Sequence, residues 1–320
     1  MSDNRWSEPS LEAGEPLRLA IPERGAPEWY LAAVLRQLAR DAGVTLEPKR
    51  FDGGEARRVA SVHEGMAEVC IAMEETVRWA YRAESAYEGW RHTSFRLVAG
   101  IEQVQWLGVA AREDARIASF DDLAAARDLR VLTYVPGGES ASWAFLVGEV
   151  LRAHGVDAGR LRIQDVETER SRVRTLDFDV LIAPIGPFRG WRGSIWHEAA
   201  ALAPLRFLPC DATALESLAS RHGLRPGLLP AEYLPGLREP VPTLRFDRWL
   251  VFASERLESE TALALAAALD EGRDRLAALH AFHDPRRALL DVGVPVHRAI
   301  RSDRADRGLE VATAEPAAAV

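Results

Sequence analysis

The sequence predicts an α/β fold of two lobes, two mixed sheets flanked by helices with a cleft between them. Three observations carry this expectation. Strand-like and helix-like runs alternate along nearly the whole chain, the pattern of folds with largely parallel sheets. A strand, a Gly/Pro loop and a helix occur in series twice: Leu17–Ile21 leads through Gly25 into a helix from Glu28 to Ala42, and Arg130–Val135 leads through Pro136, Gly137, Gly138, Glu139 and Ser140 into a helix ending at His154. At 320 residues the chain is long enough to bury a sizeable core in each of two domains. Each strand–loop–helix unit leaves backbone N–H groups free at a helix start, so the two units point to two lobes that offer loops to one cleft.

The elements follow in order. After the first unit, Val44 to Phe51 reads as a strand and Asp52-Gly53-Gly54 as a turn. A helix follows from Glu55 to Glu64 with Ala56, Val59, Ala60 and His63 on one face, and Gly65 ends it. Ala67 to Ala72 is the next strand and Glu74 to Arg82 the next helix; Phe95–Gly100 and Val104–Ala111 are two strand segments. Ser119 caps a short helix. Beyond the second unit, Leu161–Val166 and Phe178–Pro184 read as strands, and Thr213–Glu216 as a capping box before a helix that stops near Gly223. Leu244–Ala253 is a strand, and one long helix is expected from a Ser259 cap to Phe282. The helical assignments rest on spacing: Leu31, Val34, Leu35 and Leu38 recur every three or four residues, as do Trp143, Leu146, Val147, Val150 and Leu151.

Composition removes several function classes. With 48% hydrophobic and 28% charged residues the chain is an ordinary globular protein. A net charge of −8 lacks the basic footprint of a nucleic-acid binder. Lys49 is the only lysine, so Schiff-base chemistry has one candidate. Cys70 and Cys210 read as core thiols, and His280 and His283 have the wrong spacing for a metalloprotease helix, so no metal is expected. There is no nucleophile elbow, Walker loop or complete dinucleotide fingerprint, and no cofactor is expected. No run approaches the length of a membrane span, so direct membrane insertion is not expected. Residues 1–16 are polar and acidic and lack the apolar run of a secretory signal. The expectation is a cytoplasmic location for the chain as given, or a periplasmic or extracellular one if a signal has been removed.

Candidate site residues cluster at the loops. Gly25, Gly53, Gly54, Gly137 and Gly138 suit either close backbone approach to a ligand or plain turn chemistry. Ser140 and Ser142 offer hydroxyls that serve a ligand or cap a helix. Trp29, Tyr30 and Trp143 open the two facing helices, where aromatics wall a pocket, although Trp143 also fits the sheet-facing stripe. Glu74 and Glu75 serve either as acid–base groups or as first-turn acids that complement a helix dipole. Pro187 and Arg189 follow a buried strand, and Arg189 either pairs with an anion or is solvated.

The order of these pieces resembles the type II periplasmic-binding-protein fold, and specifically the TAXI family of solute receptors from TRAP transporters. The resemblance spans Leu17 to Arg301. It is carried by Gly25 to Tyr30, Phe51 to Glu55, Gly65 to Val69, Ile117 to Leu123 and Pro136 to Ser140, then by Leu229-Pro230-Ala231-Glu232-Tyr233-Leu234-Pro235-Gly236 with Val241-Pro242-Thr243, and by Gly293 to His297. Three departures accompany it. The signal segment is missing; the loops carry Arg24, Glu28 and Glu139; and Met73-Glu74-Glu75 stands where the family offers small or amide residues.

The resemblance implies lobe 1 from 17–103 plus 246–301 and lobe 2 from 104–245, while the polar composition of the ends predicts disorder at 1–16 and 302–320. Crossing strands near Val104–Ala111 and Thr243–Val251 would form the hinge. It implies a solute-binding protein that closes on a small polar organic molecule, an organic acid or amino acid, with TRAP membrane subunits as partners if exported. The alternative is a cytoplasmic enzyme on the same fold, a cofactor-independent decarboxylase or lyase using Glu74 or Glu75 on a carboxylate substrate. A cytoplasmic ligand sensor is a third reading that rests on location alone.

Overall fold

The computed structural model describes residues 15–22, 26–135, 141–166, 177–186, 195–285 and 292–309. β1 (Leu17–Ile21) lies parallel between β2 (Leu46–Arg50) and β3 (Val69–Met73). α1 (Pro27–Asp41), α2 (Gly54–His63) and α3 (Glu74–Arg82) follow these strands in turn. The strand sequences explain the order. Val-Cys-Ile-Ala-Met of β3 is apolar throughout and buried at every position, as an interior strand covered on both faces must be. Leu-Glu-Pro-Lys-Arg of β2 is exposed beyond Leu46 and carries Pro48, which suits a sheet edge.

β4 (Phe95–Arg112) is one 18-residue strand. The two segments expected there are joined because Ile101 and Glu102 pair in register with Trp249 and Arg248 of β10 (Val241–Ser254), which carries the ladder across the gap. The second half contains α4 (Phe120–Ala125), β5 (Arg130–Thr133), α5 (Ala141–Ala153), β6 (Arg162–Asp165), β7 (Val180–Ile185), α6 (Ile195–Leu202), β8 (Leu205–Phe207), α7 (Ala212–His222) and β9 (Arg225–Leu229). α8 (Ser259–Glu271), α9 (Arg273–Ala277) and α10 (Arg298–Asp306) return to the first half, where α8 packs on α1 and α10 on α8.

The strand order is β2-β1-β3-β10-β4-β7-β5-β6, with β8 added to β4 and β9 to β10. The two expected sheets are thus joined edge to edge through the long β4–β10 pair. Residues 248–254 of β10 pair with β3 and the first part of β4, whereas residues 241–245 pair with β9. A β-bulge between Phe246 and Arg248 marks the changeover, inside the segment expected to hinge.

Ser119 caps α4 as expected, its hydroxyl accepting from the Asp122 N–H at 3.1 Å. Four expectations need correction. α7 begins at Ala212 after Asp211, so Thr213 lies inside the helix and no capping box forms. The long C-terminal helix has its N-cap at Glu258, not Ser259, and breaks at Gly272. A Cβ at Gly272 would stand 2.3 Å from Leu38 Cδ1, so α1 approaches too closely for a regular helix with side chains to pass. α2 buries Glu55, Arg58 and Ser61 together with Val59, Ala60 and Val62, while Ala56 and His63 are only partly covered. Last, α10 continues past Ser302, where a frayed tail was expected, because buried Arg304 anchors it. Arg304 donates to Asp270 at 2.8 Å, and Asp270 also receives His283 at 2.7 Å. Burial works against the Asp270 anion, but these two partners hold its carboxyl down at about 2.

The core of the second half is built on a missing side chain. Gly108 in β4 lies beneath the Trp196 ring, where an added Cβ would fall 2.5 Å from both Trp196 and Ile185. Trp196 is fixed there by its indole N–H, which donates to the Pro184 carbonyl at 3.0 Å. Gly108→Ala is therefore expected to destabilise the fold by about 1–3 kcal/mol through overpacking, read as a melting temperature lowered by roughly 2–5 °C. An unchanged melting temperature would show that the ring shifts without penalty.

Candidate functional site

α3 is where the two halves meet. It belongs in sequence to the first half, yet its side chains reach into the second. Arg78 donates to the carbonyls of His222 (3.1 Å) and Gly223 (3.0 Å), and the Trp79 indole N–H donates to His222 at 2.9 Å. These donors satisfy carbonyls that the C-terminus of α7 leaves open. The Trp79 ring also meets Phe145 of α5 edge-on at 5.4 Å. Ser85, just past α3, bonds the His222 ring at 2.9 Å, and the far side of that ring meets Glu149 at 3.0 Å.

A buried polar chain crosses the same seam. Glu55 of α2 accepts from the Met73 N–H at 3.3 Å and from the Thr76 hydroxyl at 3.2 Å. Thr76 Oγ1 stands 3.1 Å from Ser142 Oγ of α5. A hydroxyl carries one proton; that of Thr76 goes to the carboxylate, so Ser142 supplies the proton of the second bond. Glu55, Thr76 and Ser142 are all buried, which makes the chain a fully enclosed link between α2, α3 and α5.

The structure separates the two neighbouring glutamates of α3. Glu74 is clamped by two guanidinium groups, Arg225 of β9 and Arg248 of β10, the latter at 2.7 Å. Arg225 also reaches Asp247 at 2.8 Å. Burial opposes ionisation of Asp247, but hydrogen bonds from Arg225 and Arg245 hold its carboxyl below the usual range. Glu74 is thus charge-compensated and does not present a bare negative charge to a cleft. Glu75 is different: it is fully buried (0% exposed), and among the described residues no other residue donates to either of its carboxylate oxygens. Burial, seconded by the charge of Glu74, pushes its carboxyl up to about 7.

Of the other expected site residues, Trp29 and Tyr30 sit in the first turn of α1 with their rings perpendicular at 5.1 Å. Gly53 and Gly54 have φ of +101° and +70° at the start of α2, so the turn itself requires glycine there. Ser142 belongs to the seam. Trp143 is in the apolar stripe of α5, edge-on to Phe246 of β10 at 4.9 Å. Gly25, Gly137, Gly138, Glu139, Ser140, Pro187 and Arg189 lie outside the described residues. The sequence reading missed Glu55, Arg58, Thr76, Arg225 and Arg248. Glu55, Arg58 or Val59, and Val62 do continue a helical stripe at three- and four-residue spacing, a signal for the first two that their charge disguised. Arg225 and Glu74 are 151 residues apart, and no local pattern announces their pairing.

The chain matches the NMT1-like family over residues 30–299. It is a member of that family. No curated protein matches it. Among solved structures, the NMT1-like chain is similar to the periplasmic binding protein BugD, at 14% identity over 93% of this chain and 99% of that one, with a TM-score of 0.52. It is also similar to a protein of Bordetella bronchiseptica RB50, at 13% identity over 82% and 75% of the two chains, with a TM-score of 0.50. The likeness establishes the two-lobed periplasmic-binding-protein fold. Among the described residues no group of acidic, histidine or cysteine side chains is arranged to hold a metal ion. Cys70 and Cys210 are unpaired core thiols, both pushed up to about 12 by burial, and are not nucleophiles.

The buried Glu75 has a direct consequence for stability. Its carboxyl titrates near 4.5 when unfolded and about 7 when folded. The folded state therefore holds the extra proton between these values, and stability falls as pH rises through that window. Above it the loss is complete, on the order of 3 kcal/mol at most. Glu75→Gln removes the charge and is expected to raise the melting temperature above that of the parent at about pH 8, with the difference shrinking toward pH 4.5. Denaturation across this range checks it; a pH-independent difference would mean that Glu75 does not titrate in the folded protein.

Proposed function

We propose that this NMT1-like chain is a solute-binding protein that closes on a small polar organic molecule, an organic acid or amino acid, between its two halves. The observation that carries the reading is the seam itself. The N-terminal turns of α3, which follows β3, and of α5, one from each half, meet through Thr76 and Ser142. Helix N-termini at strand ends present free N–H groups and positive dipole ends, the donors that a polar solute needs. The bulged β4–β10 crossing lies beneath this meeting point and supplies a hinge for lobes at 17–103 plus 246–301 and at 104–245. The solved relative named as a periplasmic binding protein agrees with this reading.

The finer form of the proposal is a TAXI-type receptor working with TRAP membrane subunits in the periplasm. Its support is the ordered series of TAXI-like segments, above all Leu229 to Gly236 with Val241 to Thr243. In the fold the second of these opens β10, where the Thr243 hydroxyl donates to the Leu107 carbonyl across the crossing strands. No helix among the described residues is long and apolar enough to cross a membrane.

One observation favours a second reading, a cofactor-independent lyase on the same fold. A buried carboxyl poised near neutrality, as Glu75 is, suits a general acid or base. In that case Glu75→Gln abolishes turnover while binding persists.

A thermal-shift screen over organic acids, amino acids, amines and sulfonates separates the two. Under the solute-binding reading a true ligand at a hundred times its Kd adds about 2.7 kcal/mol, or roughly 4 °C for a chain of this size. The stabilising compound should be recovered unchanged after prolonged incubation. Conversion of that compound by the parent, lost in Glu75→Gln, would replace this reading with the enzymatic one.

A further inference from the structure

The carboxylates that α2 and α3 bring to the seam differ in their partners. Glu74 has two guanidinium groups. Glu55 has the Met73 N–H and the Thr76 hydroxyl. Of these, Glu75 has both oxygens buried with no donor from another described residue. The nearby cations are engaged elsewhere: Arg78 donates to the His222 and Gly223 carbonyls, and Arg225 is held by Glu74 and Asp247.

The position of Glu75 on α3 is informative. Arg78 and Trp79 lie three and four residues further on and share its helix face, and both reach into the second half. On its other side Glu75 adjoins Thr76, which touches Ser142 where α3 meets α5. The helix position therefore places Glu75 on the face of α3 that forms the seam between the halves. A buried acceptor with no donor is unfavourable by itself, and the partner it lacks is a donor that bears positive charge.

Building on the solute-binding reading, we propose that Glu75 is the specificity-determining acceptor for a cationic nitrogen of the solute, an ammonium or amidinium group that enters when the halves part. Amino acids and amines fit this site, and purely anionic acids do not. Before the cation arrives the carboxyl is kept largely discharged by burial and by Glu74, against the pull of Arg78 and Arg225. Binding of the cation restores the carboxylate and releases a proton.

The test uses the full chain with defined probes: ethanolamine, putrescine, agmatine and L-lysine against succinate, glutarate and ethanesulfonate. At least one of the nitrogen bases should stabilise the parent. Glu75→Gln should weaken that compound roughly ten- to hundredfold while leaving the circular dichroism spectrum unchanged. Calorimetry of the parent at about pH 6.5 in two buffers of different ionisation heat should report proton release with the base. This last measurement needs no variant and decides the matter if Glu75→Gln does not fold. Binding of the acids or the sulfonate alone, equally in parent and variant, overturns the role of Glu75 and leaves the solute-binding reading standing. Base binding without proton release also overturns it. If no compound of either class binds, the solute-binding reading falls and this inference falls with it.

Discussion

The pairing of β4 with β10 is the constraint from which the molecule's organisation follows. The chain passes from the first half to the second along β4 and returns along β10, and the two strands are hydrogen-bonded to each other through the crossing. A long antiparallel pair resists stretching and shear, because either motion breaks several ladder bonds at once. It yields more readily to twist and bend, above all at a bulge. The bulge between Phe246 and Arg248 sits where β10 exchanges β9 for β3 as its outer neighbour. Under the proposed solute binding, a rotation of the two lobes about this point would preserve the packing within each half.

The same crossing determines where charge is needed. Asp247 lies in the bulge and Arg248 follows it, and with Arg225, Arg245 and Glu74 they form a set of two acids and three arginines spanning β9, β10 and α3. Removing both Arg225 and Arg248 would strand the buried Glu74 charge, a change that costs far more than the intact set contributes. The set is best understood as a register device. It fixes α3 against the crossing strands so that Arg78 and Trp79 reach the α7 carbonyls and Thr76 reaches Ser142. α3 is thus a member of the first half by chain order and a contact element of the second by geometry.

Much of this was legible in the sequence, and what escaped has a common cause. Apolar runs located the strands, and local signals located helix ends: Ser119 as a cap, Gly65 and Gly223 as stops, Glu74 and Arg82 as the limits of α3. These features depend on residues within a turn of one another. The break at Gly272 depends on Leu38, and the clamp on Glu74 depends on Arg225, both far away in the chain. On α2 the sequence placed Ala56, Val59, Ala60 and His63 on one face and singled out neither Glu55 nor Arg58, because charge normally marks an outer face. They are buried because each has a partner, Thr76 for the first and Glu28 at 3.2 Å for the second. Among the site candidates, Glu74 and Glu75 looked equivalent as a sequence pair, and only the fold assigns them opposite surroundings.

That asymmetry follows from helix geometry alone. Consecutive residues on a helix point about 100° apart, so a pair of acids cannot share one environment once both are buried. The direction of Glu74 faces the arginines of β9 and β10, and the direction of Glu75 faces the interface with α5 and α7. Selection for stability alone would favour an amide or an apolar residue at the second position, where burial and the charge of Glu74 oppose ionisation more than Arg78, Arg225 and the backbone favour it. Under the proposed cation binding, an acid at such a position would weaken the closed arrangement when empty and strengthen it once a positive charge is supplied. A protein built to close only around its ligand needs that inequality, because a closed state that is already stable when empty leaves the ligand nothing to shift.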